Sequence, residues 1–343
     1  MKSTTKSRKN SEPTGTGQFI AGALMVLIAC SIVALFHFQT YFDDLTTSFS
    51  NTYEDEKQPA VNLNTPEEAE EIRLGDGCYN VFLDVGANRG VHGRFLLEPE
   101  KYGDSKRAVP LFDSEFGKNR HNEDFCVFEF EANSKHWPRL QEISSAYAKM
   151  GWRYHVVEAA VSDRDGTATF FHQGSKDNKF EEWGFSGAKN IGASGGYEEQ
   201  VPTIHLSEWI QYHIHERKVP EVAPSISTKS STDDITNVKP PMLAMKMDIE
   251  GFEYIVLPDL IHSNTLCHFD FAFGEFHSKF FPIEQFNTDS SNPHRVSLRT
   301  KEEINVFDDA LVKVMHSSRN CGVRWKTIDD ESYLHDDMPL PSR

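Results

Sequence analysis

Four positions in this 343-residue chain carry side chains able to do chemistry at the end of an apolar run. Asp84 follows Val81-Phe82-Leu83, Glu131 follows Phe125–Phe130, Asp248 and Glu250 follow Met242–Met247, and Glu275 and His277 follow Phe269–Gly274. A carboxylate there can accept hydrogen bonds from hydroxyl groups, balance a cation, or remove a proton as a general base. Histidine titrates nearest neutrality, so His277 is the expected base, with Asp248, Glu250 and Glu275 as the other catalytic candidates. Such a cluster could instead hold a divalent metal, Mg²⁺ suiting hard oxygen ligands, but no ligand spacing here is diagnostic of one. Singly, each residue could be a helix cap, a turn residue or a loop histidine; jointly they point to one site.

The runs that carry these residues read as strands over 80–85, 125–130, 153–160, 242–248, 269–276 and 323–328. Between them lie helical patterns. One starts near Asn88; another has the stripe Trp137, Leu140, Ile143, Tyr147, Met150, capped by Asn133 or Ser134. Leu206, Trp209, Ile210 and Ile214 mark a third, a short helix stopped by Pro258 a fourth, and Glu302–Ser317 a fifth. Strands alternating with helices predict an α/β fold: a doubly wound, mostly parallel sheet covered on both faces. Ligands of such sheets bind in the crevice at the carboxyl ends of the strands. Asp165-Gly166 between two β-rich runs predicts a hairpin. Residues 98–124 read as an insertion, 174–200 as a mobile loop near the site, and 218–240 as a flexible excursion.

The first strand runs into Asp84-Val-Gly86-Ala-Asn88-Arg-Gly90. Gly86 and Gly90 leave room for a ligand to touch backbone, and Asp84 can meet a cationic or hydroxyl-bearing group. The Gly-x-Gly-x-x-Gly spacing of dinucleotide folds is absent, which disfavours a nicotinamide oxidoreductase. Glu131 lies where a carboxylate can accept hydrogen bonds from both hydroxyls of an adenosine ribose.

Asp84-Val-Gly-Ala-Asn-Arg-Gly90, Phe130-Glu-Ala-Asn133, Ala160-Val-Ser-Asp-Arg-Asp-Gly166, Val201-Pro-Thr-Ile204 and Lys246-Met-Asp-Ile-Glu-Gly-Phe-Glu253 occur in that order. Together they resemble the FkbM family of methyltransferases over roughly residues 80–280, the last block being the most specific. The resemblance implies a Rossmann-like methyltransferase sheet with S-adenosyl-L-methionine (AdoMet) as cofactor. It implies that Asp84, Gly86, Asn88 and Gly90 line the methionine end, that Glu131 holds the ribose, and that Ser162 and Asp163 lie near the adenine. It also implies O-methylation of hydroxyls on sugars or similar acceptors. The chain departs in Ala132, where the family often has Pro, and in the three long segments above. Lys246 is expected to pair with Asp248 or Glu250. The alternative, from a different class, is a non-catalytic, membrane-anchored binding or scaffold protein that retains the fold.

The formal charge is −17. Residues 1–18 carry four basic side chains against one acidic, or +3, which leaves −20 on the remainder. Such a body repels a phosphate backbone, so no nucleic-acid partner is expected. Phe19–Phe38 is twenty residues without a formal charge, long enough to span a bilayer as a helix. With basic residues before it and Asp43-Asp44 after, it predicts a single-pass anchor with the N-terminus cytoplasmic and the body lumenal (Golgi-like) or extracellular. The expected organisation is a tail over 1–18, the anchor over 19–38, a stem over 39–77 and a methyltransferase domain over 78–343. Cys78, Cys126, Cys267 and Cys321 allow three disulfide pairings or four free thiols. No Asn-x-Ser/Thr acceptor occurs, which weighs against the lumen.

Overall fold

A computed structural model describes residues 72–173, 184–188, 196–227, 239–280, 300–317, 321–328, 330, 332–333, 336 and 338–342. The expected tail and anchor and most of the stem lie outside them. Among the described residues, no helix is long and apolar enough to cross a membrane.

The apolar run at Asn80–Val85 forms β1, which lies between β2 (Phe125–Phe130) and β8 (Leu243–Met247), parallel to both. With β3 (Arg153–Val157), β9 (Phe271–Gly274) and β10 (Arg324–Thr327) these make a six-stranded parallel sheet in the order β10-β9-β8-β1-β2-β3. Alternation along the strands builds two cores. Val81, Leu83, Val85, Met245 and Met247 pack with Leu206 and Ile210 of α4 (Leu206–Ile210), with Val256 and Leu260 of α5 (Glu253–His262), and with Met315 of α6 (Lys301–Ser317). On the other face Phe82, Val127 and Phe273 pack with Phe95 of α1 (Val91–Leu97), Phe112 of α2 (Ala108–Phe116) and Ile143 of α3 (Trp137–Met150). Helices on both faces make the sheet doubly wound, as expected.

A smaller sheet, order β4-β7-β5-β6, is made of β4 (Ala160–Ser162), β5 (Gly166–His172), β6 (Phe185–Ser186) and β7 (Glu198–His205). Its Ala168, Phe170 and Val201 pack against Phe252, Tyr254 and Ile255 at the start of α5.

Several local expectations are corrected. The third strand is two, because the chain bends after Val157 and Ala160 enters the smaller sheet. The strands flanking Asp165-Gly166 do not form a hairpin: β7 lies between them, with Thr203 opposite both Ala160 and Gly166. Residues 98–124 hold α2, whose Pro110 falls in the first turn, where no N–H is needed. The expected loop over 174–200 contributes β6 and the start of β7. Pro258 lies inside α5 rather than ending it. The first helix begins at Val91 instead of Asn88, because Gly86, Asn88 and Gly90 all have positive φ. Trp137 begins α3 after His136, so neither Asn133 nor Ser134 is its cap.

The cysteines pair as Cys78–Cys126 and Cys267–Cys321, across separations of 48 and 54 residues. In the chain-entropy account, loops of that length contribute about 4 kcal/mol each. The first bond ties β1 to its neighbour β2; the second ties the approach to β9 to the approach to β10.

Candidate active site

At the carboxyl ends of β1, β2 and β8 lies a cleft of about 600 Å³, open solvent at the mouth included. Its wall contains Gly86, Asn88, Glu131, Asn133, Asp248 and Glu250, with Ala160, Val161, Phe170, Phe185 and Phe252 as its apolar part. Phe170 stacks on Phe185 at 5.1 Å and on Phe252 at 4.9 Å, so the smaller sheet supplies one aromatic side.

Glu131 is buried, and backbone fixes its carboxylate. Asn88 N–H donates to Oε2 at 2.6 Å and Asn133 N–H to Oε1 at 2.7 Å. The indole of Trp137 donates to the Glu131 carbonyl at 2.9 Å. Burial raises the carboxyl pKa against those two hydrogen bonds, to about 7. Asn88 Oδ1 and Asn133 Nδ2 are buried in the same wall without a hydrogen-bond partner. Two carboxylate oxygens, an unpaired carbonyl and an unpaired amide N–H form a donor–acceptor set for a ligand rich in hydroxyl and ring-nitrogen groups.

Two glycines expected to admit a ligand are explained by packing. A Cβ on Gly86 would lie 1.9 Å from the Asp248 carbonyl, so its absence lets the ends of β1 and β8 meet. A Cβ on Gly90 would lie 2.4 Å from Tyr154 Oη and 2.9 Å from Leu140, so that glycine seats α1 against α3 and β3. Gly90 is outside the cleft wall.

Asp84 is also behind the wall, fully buried on the Phe82 face. It shares a row of the sheet with Glu129 and Lys246, its partners across β2 and β8. Lys246 Nζ donates to the Gly86 carbonyl at 2.6 Å and lies 3.5 Å from Asp84 Oδ1 and 3.4 Å from Asp248 Oδ2. Burial alone would discharge this lysine; Asp248 and Asp84 overcome that and raise its pKa. The expected Lys246–Asp248 pairing is present, with Asp84 as a second partner. Burial, then the Asp84 charge, raises the Glu129 pKa well above the usual carboxylate range. Glu129 was not legible as a site residue: it is one acidic position inside Phe-Cys-Val-Phe-Glu-Phe, and only the strand register brings it beside Asp84. Gly93 makes space for it, since a Cβ there would come within 2.1 Å of Glu129 Oε1.

The second charged cluster lies at the ends of β8 and β9. Glu253, fully buried, accepts the N–H groups of Ile249 and Gly251 and contacts His277 Nδ1 at 2.9 Å. His277 Nε2 faces Glu275 at 3.4 Å, Asp248 at 3.7 Å and Glu250 at 3.8 Å. Burial lowers the imidazole pKa, but the Glu253 hydrogen bond and the surrounding carboxylates override it, leaving about 9. His277 is therefore not the free base expected from its residue type, and neither it nor Glu275 is in the cleft wall. Asp248 and Glu250 are. Burial offsets only part of the pull of Lys246 and His277 on Asp248, so its pKa is lowered. For Glu250 burial dominates, and its pKa rises to about 7. One ligand atom each from Asp248, Glu250 and His277 lie within 4.8 Å of one another. The role of Glu253 was missed, although its spacing from Lys246 and Asp248 in one block was visible.

Ser162 and Asp163 are buried at the end of β4, with the Ser162 hydroxyl donating to Asp163 Oδ1 at 3.3 Å. Their neighbours Ala160 and Val161 form the wall there instead.

The model of the methyltransferase FkbM domain matches residues 84–322, from the end of β1 to the approach to β10. No curated protein and no solved structure gives a significant match to the chain. The matched segment carries β2, β3, β8 and β9 of the parallel sheet, the cleft and both charged clusters, and the chain belongs to the FkbM methyltransferase family.

Proposed function

We propose that this is a membrane-anchored O-methyltransferase that uses AdoMet to methylate a hydroxyl of a glycan or similar acceptor. The observation that carries the reading is Glu131. A buried carboxylate with both oxygens fixed by backbone N–H groups, at the second strand end, suits the two hydroxyls of a ribose. The unpaired Asn88 Oδ1 and Asn133 Nδ2 fit the remaining polar edge of a nucleoside, and Ala160 and Val161 its base.

AdoMet, when bound, supplies an electrophilic methyl group on a cationic sulfur. What remains for the protein is alignment, water exclusion and a destination for the acceptor's proton. Glu131 and Asn88 hold the nucleoside side; Phe170, Phe185 and Phe252 exclude water on the other. The acidic wall, with Asp248 and Glu250, favours positive charge. Asp84 acts one layer back, as a positioning residue through Lys246. Lys246 engages Asp248, so Glu250 is the carboxylate left to accept a hydroxyl proton.

Two disulfides suit an oxidising compartment. With the charge-free run over 19–38, they support a body in the secretory-pathway lumen or outside the cell. Mass spectrometry of surface and secreted glycans with and without the gene tests the acceptor. Loss of species by one methylene mass supports the reading. Unchanged glycans with a changed lipid or protein pool would overturn the acceptor class.

A further inference from the structure

The acidic cluster beside the cleft does something that neither cofactor binding nor proton removal requires. We propose that His277 Nε2, Asp248 Oδ1 and an oxygen of Glu250, with Glu275 beside them, bind one divalent cation of the Mn²⁺ or Mg²⁺ type. The site stands on geometry alone; only the task given to the ion rests on the transferase reading.

The imidazole is set up from behind. Glu253 is fully buried, and its oxygens already accept the N–H groups of Ile249 and Gly251. A carboxylate in that position accepts and does not donate, so the proton of the 2.9 Å contact belongs to His277 Nδ1. That leaves Nε2, turned toward the cluster, as the position that either a proton or an ion occupies, in the carboxylate–histidine arrangement that orients metal-binding imidazoles. His277 is 8% exposed, and its Nε2 faces the carboxylates of Asp248, Glu250 and Glu275.

The distances then separate two occupants. A charged N–H would hold one carboxylate oxygen at about 2.7–2.9 Å. Instead three oxygens stand around Nε2 at 3.4, 3.7 and 3.8 Å. Two ligands of one octahedral ion, each about 2.1 Å from it, lie roughly 3.0 Å apart when adjacent and roughly 4.2 Å apart when opposite, and the three separations fall between those limits. The carboxylates are also divided in use. Asp248 gives Oδ2 to Lys246, and its Oδ1 is the oxygen on the cluster side. One nitrogen among several carboxylate oxygens is a hard donor set, which suits Mn²⁺ or Mg²⁺ better than a thiolate-loving ion. Asp248 and Glu250 also line the cleft, so an ion on them would be within reach of an acceptor hydroxyl. There it would lower that hydroxyl's pKa, and the Glu250 oxygen left off the ion would suffice as a weak base to take the proton.

The test is electron paramagnetic resonance of Mn²⁺ titrated into the full-length chain after chelator treatment. One bound Mn²⁺ per chain is expected, displaced by excess Mg²⁺. Glu250→Gln and Glu275→Gln, with unchanged melting in metal-free buffer, should each weaken it by about tenfold or more. His277→Gln should abolish it. No bound Mn²⁺ in the wild type, or equal binding in Glu250→Gln and His277→Gln, would overturn the site and indicate a proton in its place. AdoMet titrated into the same chelated samples keeps the two readings apart. Cofactor binding without Mn²⁺ binding sinks only the ion, and the reverse sinks only the cofactor.

Discussion

At the β1–β2 end of the cleft the polar atoms are held by backbone: Glu131 is clamped by Asn88 and Asn133 N–H, and Gly86 by strand closure. At the β8–β9 end they are held by one another, with Lys246 shared between Asp84 and Asp248, and His277 among four carboxylates. The first end is a fixed mould suited to one invariant ligand. The second is a balance of charges, in which removing any member changes the state of the others. That division suits a transferase whose cofactor is constant and whose reacting group must change protonation.

Lys246 touches both ends, so its removal should have the largest effect. Lys246→Met leaves Asp84 and Asp248 without their cation in a buried row, and stability should fall by about 3–5 kcal/mol. Chemical denaturation of the wild type and variant reads this directly. A change below about 1 kcal/mol, as for an exposed pair, would show that the two ends do not share a support.

Glu250→Gln should sharpen the contrast. Methyl transfer should fall about 100-fold through loss of a proton acceptor. AdoMet affinity, read by calorimetry, should stay within about threefold, since the mould at the other end is untouched; an equal loss in both would mean the ends are not separable.

How far each end was legible in the sequence follows from the same difference. The strand ends at Val85 and Phe130 and the place of Glu131 could be read locally, because an apolar run, a turn and a following helix are properties of neighbours in the chain. Asp84 reads as a crevice residue until the pleat is counted; it falls on the Phe82 face and is sealed behind Lys246. His277 reads as a neutral base because three of its four carboxylates come from the 248–253 segment, which meets it only in the folded chain. The apparent hairpin at Asp165-Gly166 failed for a related reason. Its turn chemistry is real, with Asp165 accepting the His205 N–H at 2.9 Å, but a strand from forty residues on occupies the gap.

A smaller effect is expected with pH. Hydroxyl groups donate to the ionised Glu131 carboxylate, whose pKa burial raises to about 7. Below that value the proton must leave before the ligand binds, so AdoMet affinity should weaken by about tenfold per pH unit and level off above about pH 8. Glu131→Gln should remove this slope.

The most direct measurement is calorimetric titration of AdoMet into the full-length chain and its Glu131→Gln variant at pH 8. The account predicts one site in the wild type and an affinity about 10–100-fold weaker in the variant, the loss of charge-assisted hydrogen bonds to two hydroxyls. Equal affinity in both proteins would contradict it and place the cofactor elsewhere on the molecule.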